Sequence, residues 1–214
     1  MANPNYGGFR PWGTLSGGEG VFPSPQIREV ANNIGTGIFK YDVITTVSDG
    51  TVAASAAADN GKLLGVAIGF SHLPSAPLPG RRPTLFIPAS TTFTPTTVGS
   101  VQAPYVHYIP ITGDVIFEVC GNAAAPTPTL AGVIGLIGEN CDLVTGSGDT
   151  TTGLSAMQLD LSTHATTTAN FRIIGISGYP AGNPPLNNDV TLTNVRFLVT
   201  CNEGFLPPYT ATGV

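Results

Sequence analysis

The side chains able to do chemistry in this chain are few and scattered. Three histidines (His72, His107 and His164), three cysteines (Cys120, Cys141 and Cys201) and thirteen carboxylates are its main supply of metal ligands, nucleophiles and proton carriers. A catalytic zinc calls for histidines about one helical turn apart, and no His-x3-His or His-Glu-x-x-His spacing occurs. The cysteines are odd in number and far apart, so neither a zinc knuckle nor a Cys-x-x-Cys pair can be written, and each is expected to be a small buried hydrophobe. No Gly-x-Ser-x-Gly elbow is present. The one Gly-Lys pair, Gly61-Lys62, is followed by Leu63 and fails as a phosphate loop. The glycine-rich run from Gly146 to Gly153 lacks a basic residue and a following amphipathic helix, so turn chemistry explains it better. Asp142 and Asp149 flank it, but no alternating Asp-x-Asp run supplies the four or more oxygens calcium requires. The expectation is a protein with no catalytic residues, no metal and no cofactor. An enzyme alternative, a β-fold hydrolase, would need the fold to bring Asp142, Asp149 or Asp160 together in a cleft.

The charge balance narrows the partners. Lys and Arg number eight against thirteen Asp and Glu, for a net charge of −5 and a pI near 4.9. Such a chain has little with which to neutralise phosphates, so nucleic acid is not an expected partner. Arg81-Arg82 is the sole adjacent basic pair and Lys40 and Lys62 the sole lysines, which rules out a polybasic membrane surface. No apolar run of about 18 residues occurs. The N-terminus, Met1 to Tyr6, lacks the basic region and apolar stretch of a signal peptide, so the expectation is a protein made and kept soluble inside a cell.

The elements that would position any site follow from composition. With 27 Gly, 19 Pro and only 10% charged residues against about 25% in a typical soluble domain, long surface helices are disfavoured. At 42% hydrophobic the chain is also too apolar for a solvated coil. The fold class is therefore read as all-β, a barrel or sandwich of hairpins and meanders with an extended N-terminal arm. The arm is placed at 1–30 and the β-rich domain at 31–214, which admits two β lobes divided by a Pro-rich excursion at 71–104. Tyr6, Phe9, Trp12 and Phe22 stand among the glycines and prolines of the arm. Aromatics bury large areas and are poorly tolerated on a free tail, so these four are candidate partner-binding anchors. The arm packs either on another chain or on its own domain. If on another chain, deleting residues 2–22 leaves a soluble fold.

Strands are expected at 41–47, 51–54 and 63–68, separated by Asp49-Gly50 and Asn60-Gly61, whose glycines supply the positive φ of tight hairpin turns. Others fall at 84–87, 105–109, 113–119, 133–137, 171–176 and 190–200. Asp114-Val115-Ile116 with Val119 repeats Asp42-Val43-Ile44 with Val47, a single short match.

The run Ile137-Gly138-Glu139-Asn140-Cys141-Asp142-Leu143-Val144-Thr145-Gly146-Ser147-Gly148-Asp149-Thr150-Thr151-Thr152-Gly153-Leu154-Ser155, with Leu159-Asp160 and Asn170-Phe171-Arg172-Ile173-Ile174-Gly175, resembles the auxiliary head proteins of tailed bacteriophages, the capsid decoration or cement proteins. Asp42-Val43-Ile44, Asp49-Gly50-Thr51-Val52 and Leu63-Leu64-Gly65-Val66-Ala67 look like the β-barrel unit of the same proteins. Together these span about residues 34 to 200, and the Pro-rich excursion and aromatic arm depart from the smaller members. The resemblance implies a virion protein synthesised in the host bacterial cytoplasm and bound outside the capsid, where it bridges major capsid protein subunits. It also implies a homotrimer; few charges point to an oligomer independently. A head or tail fibre module binding a host glycan is the alternative.

Overall fold

The structure, a computed structural model, describes residues 7–57, 62–72, 85–90, 104–165, 169–178 and 188–202. Tyr6, Asn60 and Gly61 lie outside them. In chain order the elements are β1 (Arg10–Thr14), β2 (Gly18–Glu19), β3 (Gln26–Glu29), β4 (Ile38–Phe39), β5 (Val43–Thr46), β6 (Val52–Ala54), β7 (Leu63–His72), β8 (Phe86–Ile87), β9 (Pro104–Pro110), β10 (Val115–Cys120), α1 (Leu130–Gly135), β11 (Asn140–Val144), β12 (Gln158–Ala165), β13 (Phe171–Ile176) and β14 (Arg196–Cys201). The fold is all-β. A seven-stranded antiparallel sheet runs β12-β11-β13-β14-β10-β1-β2, a five-stranded one runs β3-β9-β7-β5-β6, and β4 pairs with β8 alone.

Each large sheet curls until distant strands meet. Val30, just past β3, makes a parallel bridge to Val52 on β6, and Gly121, just past β10, makes one to Leu159 on β12. One bridge is not a ladder, so neither sheet closes into a barrel. The pattern is nevertheless the same in both. The five strands of the first lobe, in chain order, are β3, β5, β6, β7 and β9, and those of the second are β10 to β14. In each lobe the first pairs with the fifth, the fifth with the fourth, the fourth with the second and the second with the third, and the bridge returns from third to first.

The registers coincide as well. Val30 N–H donates to the Pro104 carbonyl at 3.0 Å and Gly121 N–H to the Val195 carbonyl at 2.9 Å. Ala31 N–H donates to Val52, and Asn122 N–H to Leu159, both at 2.9 Å. Both fourth strands bulge just before a glycine, Gly69 and Gly175, within the matching sequences Ile68-Gly69-Phe70-Ser71 and Ile174-Gly175-Ile176-Ser177. The Asp-Val-Ile match, by contrast, joins non-equivalent strands, β5 and β10.

Alternation then sorts the side chains. Ile44, Val52, Ala67, Phe70, Val106 and Tyr108 fill the first lobe; their equivalents Cys141, Leu159, Ile173, Ile176, Phe197 and Val199 fill the second. The outer face of the first lobe presents Val43, Val66 and Ile109, which join the second core. The corresponding residues of the second lobe are Asn140, Arg172 and Thr200, and Arg172 Nε donates to Asn140 Oδ1 at 3.2 Å. The second lobe therefore ends the stack with a polar face.

Several expectations need correction. The run 133–137 lies across the end of helix α1 and the turn after it: Thr129 caps it, its hydroxyl oxygen accepting Gly132 N–H at 3.2 Å. A short apolar run has no period of its own, and the upstream cap decided the matter. The last strand begins at Arg196, because an Asp189 turn and Asn194 at φ 59° break the extended run before it. The excursion 71–104 connects β7 to β9, neighbours in one sheet, so it does not divide the lobes; that change falls between β9 and β10. Residues 10–29 are no separate arm either, since β1 lies between β10 and β2, and β3 pairs with β9.

Candidate functional site

Among the four aromatic candidates, Phe9 is fully buried and its ring stacks on Phe171 at 4.5 Å between centroids. It is a core residue, not a partner-facing anchor. Gly8 N–H and Phe9 N–H donate to the carbonyls of Met157 and Tyr41 and lock that point of the chain in place. Trp12 is half-buried at the bulge of β1, and its carbonyl accepts Gly20 N–H. Phe22 is 39% exposed. Beside it in sequence the structure exposes Leu15 (58%), Val21 (49%) and Ile27 (56%); with Phe22 these are half of the large exposed hydrophobics among the described residues. These three aliphatics escaped the sequence reading, which weighed aromatics alone; their signal is lodging in a Gly- and Pro-rich stretch where no strand pattern buries them.

The carboxylates are turn builders. Asp49 Oδ1 accepts both the N–H and the hydroxyl of Thr51, at 2.9 and 2.5 Å, and Gly50 takes φ 84° to complete that hairpin. The same Asp-x-Ser/Thr device recurs at Asp160 with Ser162 and at Asp189 with Thr191, and Asp149 uses the N–H of Thr151 with the hydroxyl of Thr152. These bonds hold all four carboxyls below the usual range: the Thr51 hydroxyl leads at Asp49, the Thr151 N–H at Asp149 and the Thr191 N–H at Asp189. At Asp160 burial pulls upward and the Ser162 and Asn122 donors outweigh it. Groups held ionised in this way are poor general acids.

Asp142 and Asp160 stand opposite each other across β11 and β12, while Asp149 lies on a separate turn, so the three do not gather in one cleft. Ser71 Oγ lies 2.7 Å from His107 Nε2 on the first lobe, and His164 Nδ1 lies 2.7 Å from Glu139 Oε2 on the second. All three cysteines are buried and unbridged. The Cys141 thiol is pushed up to about 12 by burial and by the nearby Glu139, Asp142 and Asp160 charges, and so is no nucleophile near neutral pH. Among the described residues no three His, Cys, Asp or Glu side chains gather as a metal site, and no helix is long and apolar enough to cross a membrane.

One ionisable group is deeply placed. Asp42, 2% exposed, accepts Phe39 N–H at 2.7 Å and a hydrogen bond from the Ser155 side chain. Burial raises its pKa to about 7. Neighbouring Tyr41, at φ 75°, lies under both Arg10 and Lys40, 5.3 and 5.0 Å from its ring centre.

No family model, curated protein or solved structure matches the chain.

Proposed function

We propose that the protein is a structural attachment protein that binds the outside of a bacteriophage capsid and bridges neighbouring major capsid subunits. The reading rests on the resemblance of residues 137–155, 159–160 and 170–175 to capsid decoration proteins. The observation that carries it is the apolar series Leu15, Val21, Phe22 and Ile27, exposed from the β1–β2 turn to β3 in a chain with few charges. Large apolar side chains left exposed close together in sequence are candidates for an attachment surface. Attachment at several such points per oligomer holds strongly even when each is modest, because the second contact forms at high effective concentration. Outward pressure from packaged DNA would then have to break these added contacts before subunits separate. The glycan-binding alternative has less support, since Phe22 is the one aromatic in the exposed class among the described residues.

The test is co-sedimentation of the purified protein with expanded capsids lacking it. The wild type should pellet with the particles and raise their melting temperature, and a Leu15→Ser/Phe22→Ser variant that keeps its own fold should do neither. Failure of the wild type to pellet overturns the reading.

A further inference from the structure

The repeated strand pattern exposes a difference between the lobes. In the second lobe the first strand, β10, carries an added antiparallel strand on the edge away from β14: β1 lies there, with Arg10 opposite Glu118, Pro11 opposite Phe117, Gly13 opposite Ile116 and Thr14 opposite Val115. The equivalent positions of the first lobe are Ile27, Gln26, Pro25 and Ser24. There β3 is the edge of its sheet among the described residues.

Hydrogen-bond phase fixes which groups that edge offers. Val30 N–H bonds to Pro104 in the antiparallel pair with β9, so the N–H and C=O groups of Gln26 and Arg28 face β9. Those of Ile27 point the other way, as those of Glu118 point at β1. Pro25 has no N–H and offers its carbonyl alone. Over Pro25 to Ile27 the edge thus presents one donor and two acceptors. Ile27 itself is 56% exposed, and Val21 and Phe22 expose apolar surface nearby in the chain. In the second lobe Glu118 holds the equivalent position, and it is engaged with Ser177 and Arg196.

We propose that the edge of β3 at Ile27 is a strand-addition site. It takes an extended segment of another polypeptide, antiparallel to β3 and apolar at the residue opposite Ile27, as β1 occupies β10. The occupant of the filled edge, β1, is far from β10 in sequence and not its hairpin partner, so an edge of this kind takes a strand brought from elsewhere. Where the second lobe has Glu118, engaged within its own sheet, the first has the exposed Ile27, so the residue opposite it in an added strand is apolar. The inference names the chemistry of the segment grasped and depends on the attachment reading only for where that segment comes from.

The probe is a labelled synthetic peptide, Gly-Phe-Val-Pro-Trp-Gly-Thr-Leu, the sequence of residues 8–15 with valine where Arg10 stands. Against the full-length protein it should bind saturably and slow amide exchange at Ile27, and the arginine form should bind less well. Ile27→Pro deletes the outward donor without touching the β9 ladder, and should weaken binding at least tenfold. If that variant fails to fold, Ile27→Asp, which keeps the donor and charges the contact, should weaken it likewise. Absence of saturable binding to the folded wild type, or unchanged binding by these variants, overturns the proposal. So does a dimer that Ile27→Pro dissolves while the peptide fails to bind, which would assign the edge to a second copy. Peptide binding together with failure to pellet on capsids supports the site and removes the attachment reading instead.

Discussion

Gly65 lies against the ring of Tyr108: a Cβ at position 65 would stand 2.3 Å from Tyr108 Cδ2 and 2.6 Å from the Ile109 carbonyl oxygen. In the second lobe the same two positions are Phe171 and Val199, a large residue on the fourth strand and a smaller one on the fifth. The two lobes fill one place in the pattern with opposite divisions of the volume. Gly65→Ala should therefore cost roughly 1–3 kcal/mol through overpacking, and Tyr108→Val roughly 3 kcal/mol or more through the cavity and the lost hydroxyl bond to Gln26. The double variant should cost less than their sum by about 1 kcal/mol. The Ile109 carbonyl still crowds position 65, so recovery is partial. Chemical denaturation of the four proteins measures the cycle, and strict additivity would refute the shared packing.

Phe9 belongs to the core, so Phe9→Ala should destabilise by about 3–5 kcal/mol, and deletion of residues 2–22 should yield aggregated or unfolded protein. This is the outcome that goes with a segment packed on its own domain. Phe22→Ala should change the melting temperature little, since its ring is partly in water. Thermal melts of the three variants check the contrast.

The buried Asp42 predicts a pH dependence of unusual sign. Its folded pKa, about 7, lies above the ordinary carboxyl value of 3.8. The folded state therefore holds the proton more tightly than the unfolded chain. The stability gained this way is complete below 3.8, declines as pH rises and is gone above about 7. The span amounts to roughly 4 kcal/mol at about 1.4 kcal/mol per unit. Asp49, Asp149, Asp160 and Asp189 act oppositely, since their depressed pKa values stabilise above the usual carboxylate range and lose effect as pH falls through the folded values. Stability should peak in mildly acid solution. Asp42→Asn, which can still accept the Phe39 N–H, should flatten the decline between pH 4 and 7 in denaturation series.

Turn geometry should matter more than any exposed carboxylate. Gly50→Val places a β-branched residue at φ 84° and should cost at least 1–2 kcal/mol. Asp142→Ala and His107→Ala should each stay within about 1 kcal/mol. Melting temperatures of the free variants, set beside their capsid occupancy, check whether function tracks folding. A carboxylate variant that folds normally yet abolishes particle stabilisation would reveal a specific charge site.

The β5–β6 hairpin was legible because its cause is local: Asp49, Gly50 and Thr51 build the turn from their own backbone, and β-branched neighbours do the rest. The extended run from Phe171 to Ile176 and the burial of the three cysteines were legible for similar reasons, from residue type alone. The insertion of Phe9 was not, because an aromatic in a glycine-rich stretch reads the same whether its socket lies in its own domain or in another chain. The helix at Leu130–Gly135 turned on a cap outside the apolar run that drew attention. The doubled lobe was least visible of all. Pairings such as β3 with β9 and β10 with β14 join residues far apart in sequence, and exchanges such as Gly65/Tyr108 for Phe171/Val199 move the large residue from one strand to the other and erase identity. Local turn chemistry and overall composition determined an all-β chain; long-range pairing and side-chain packing decided that it folds one pattern twice and, among the described residues, sets β3 with Ile27 at a sheet edge.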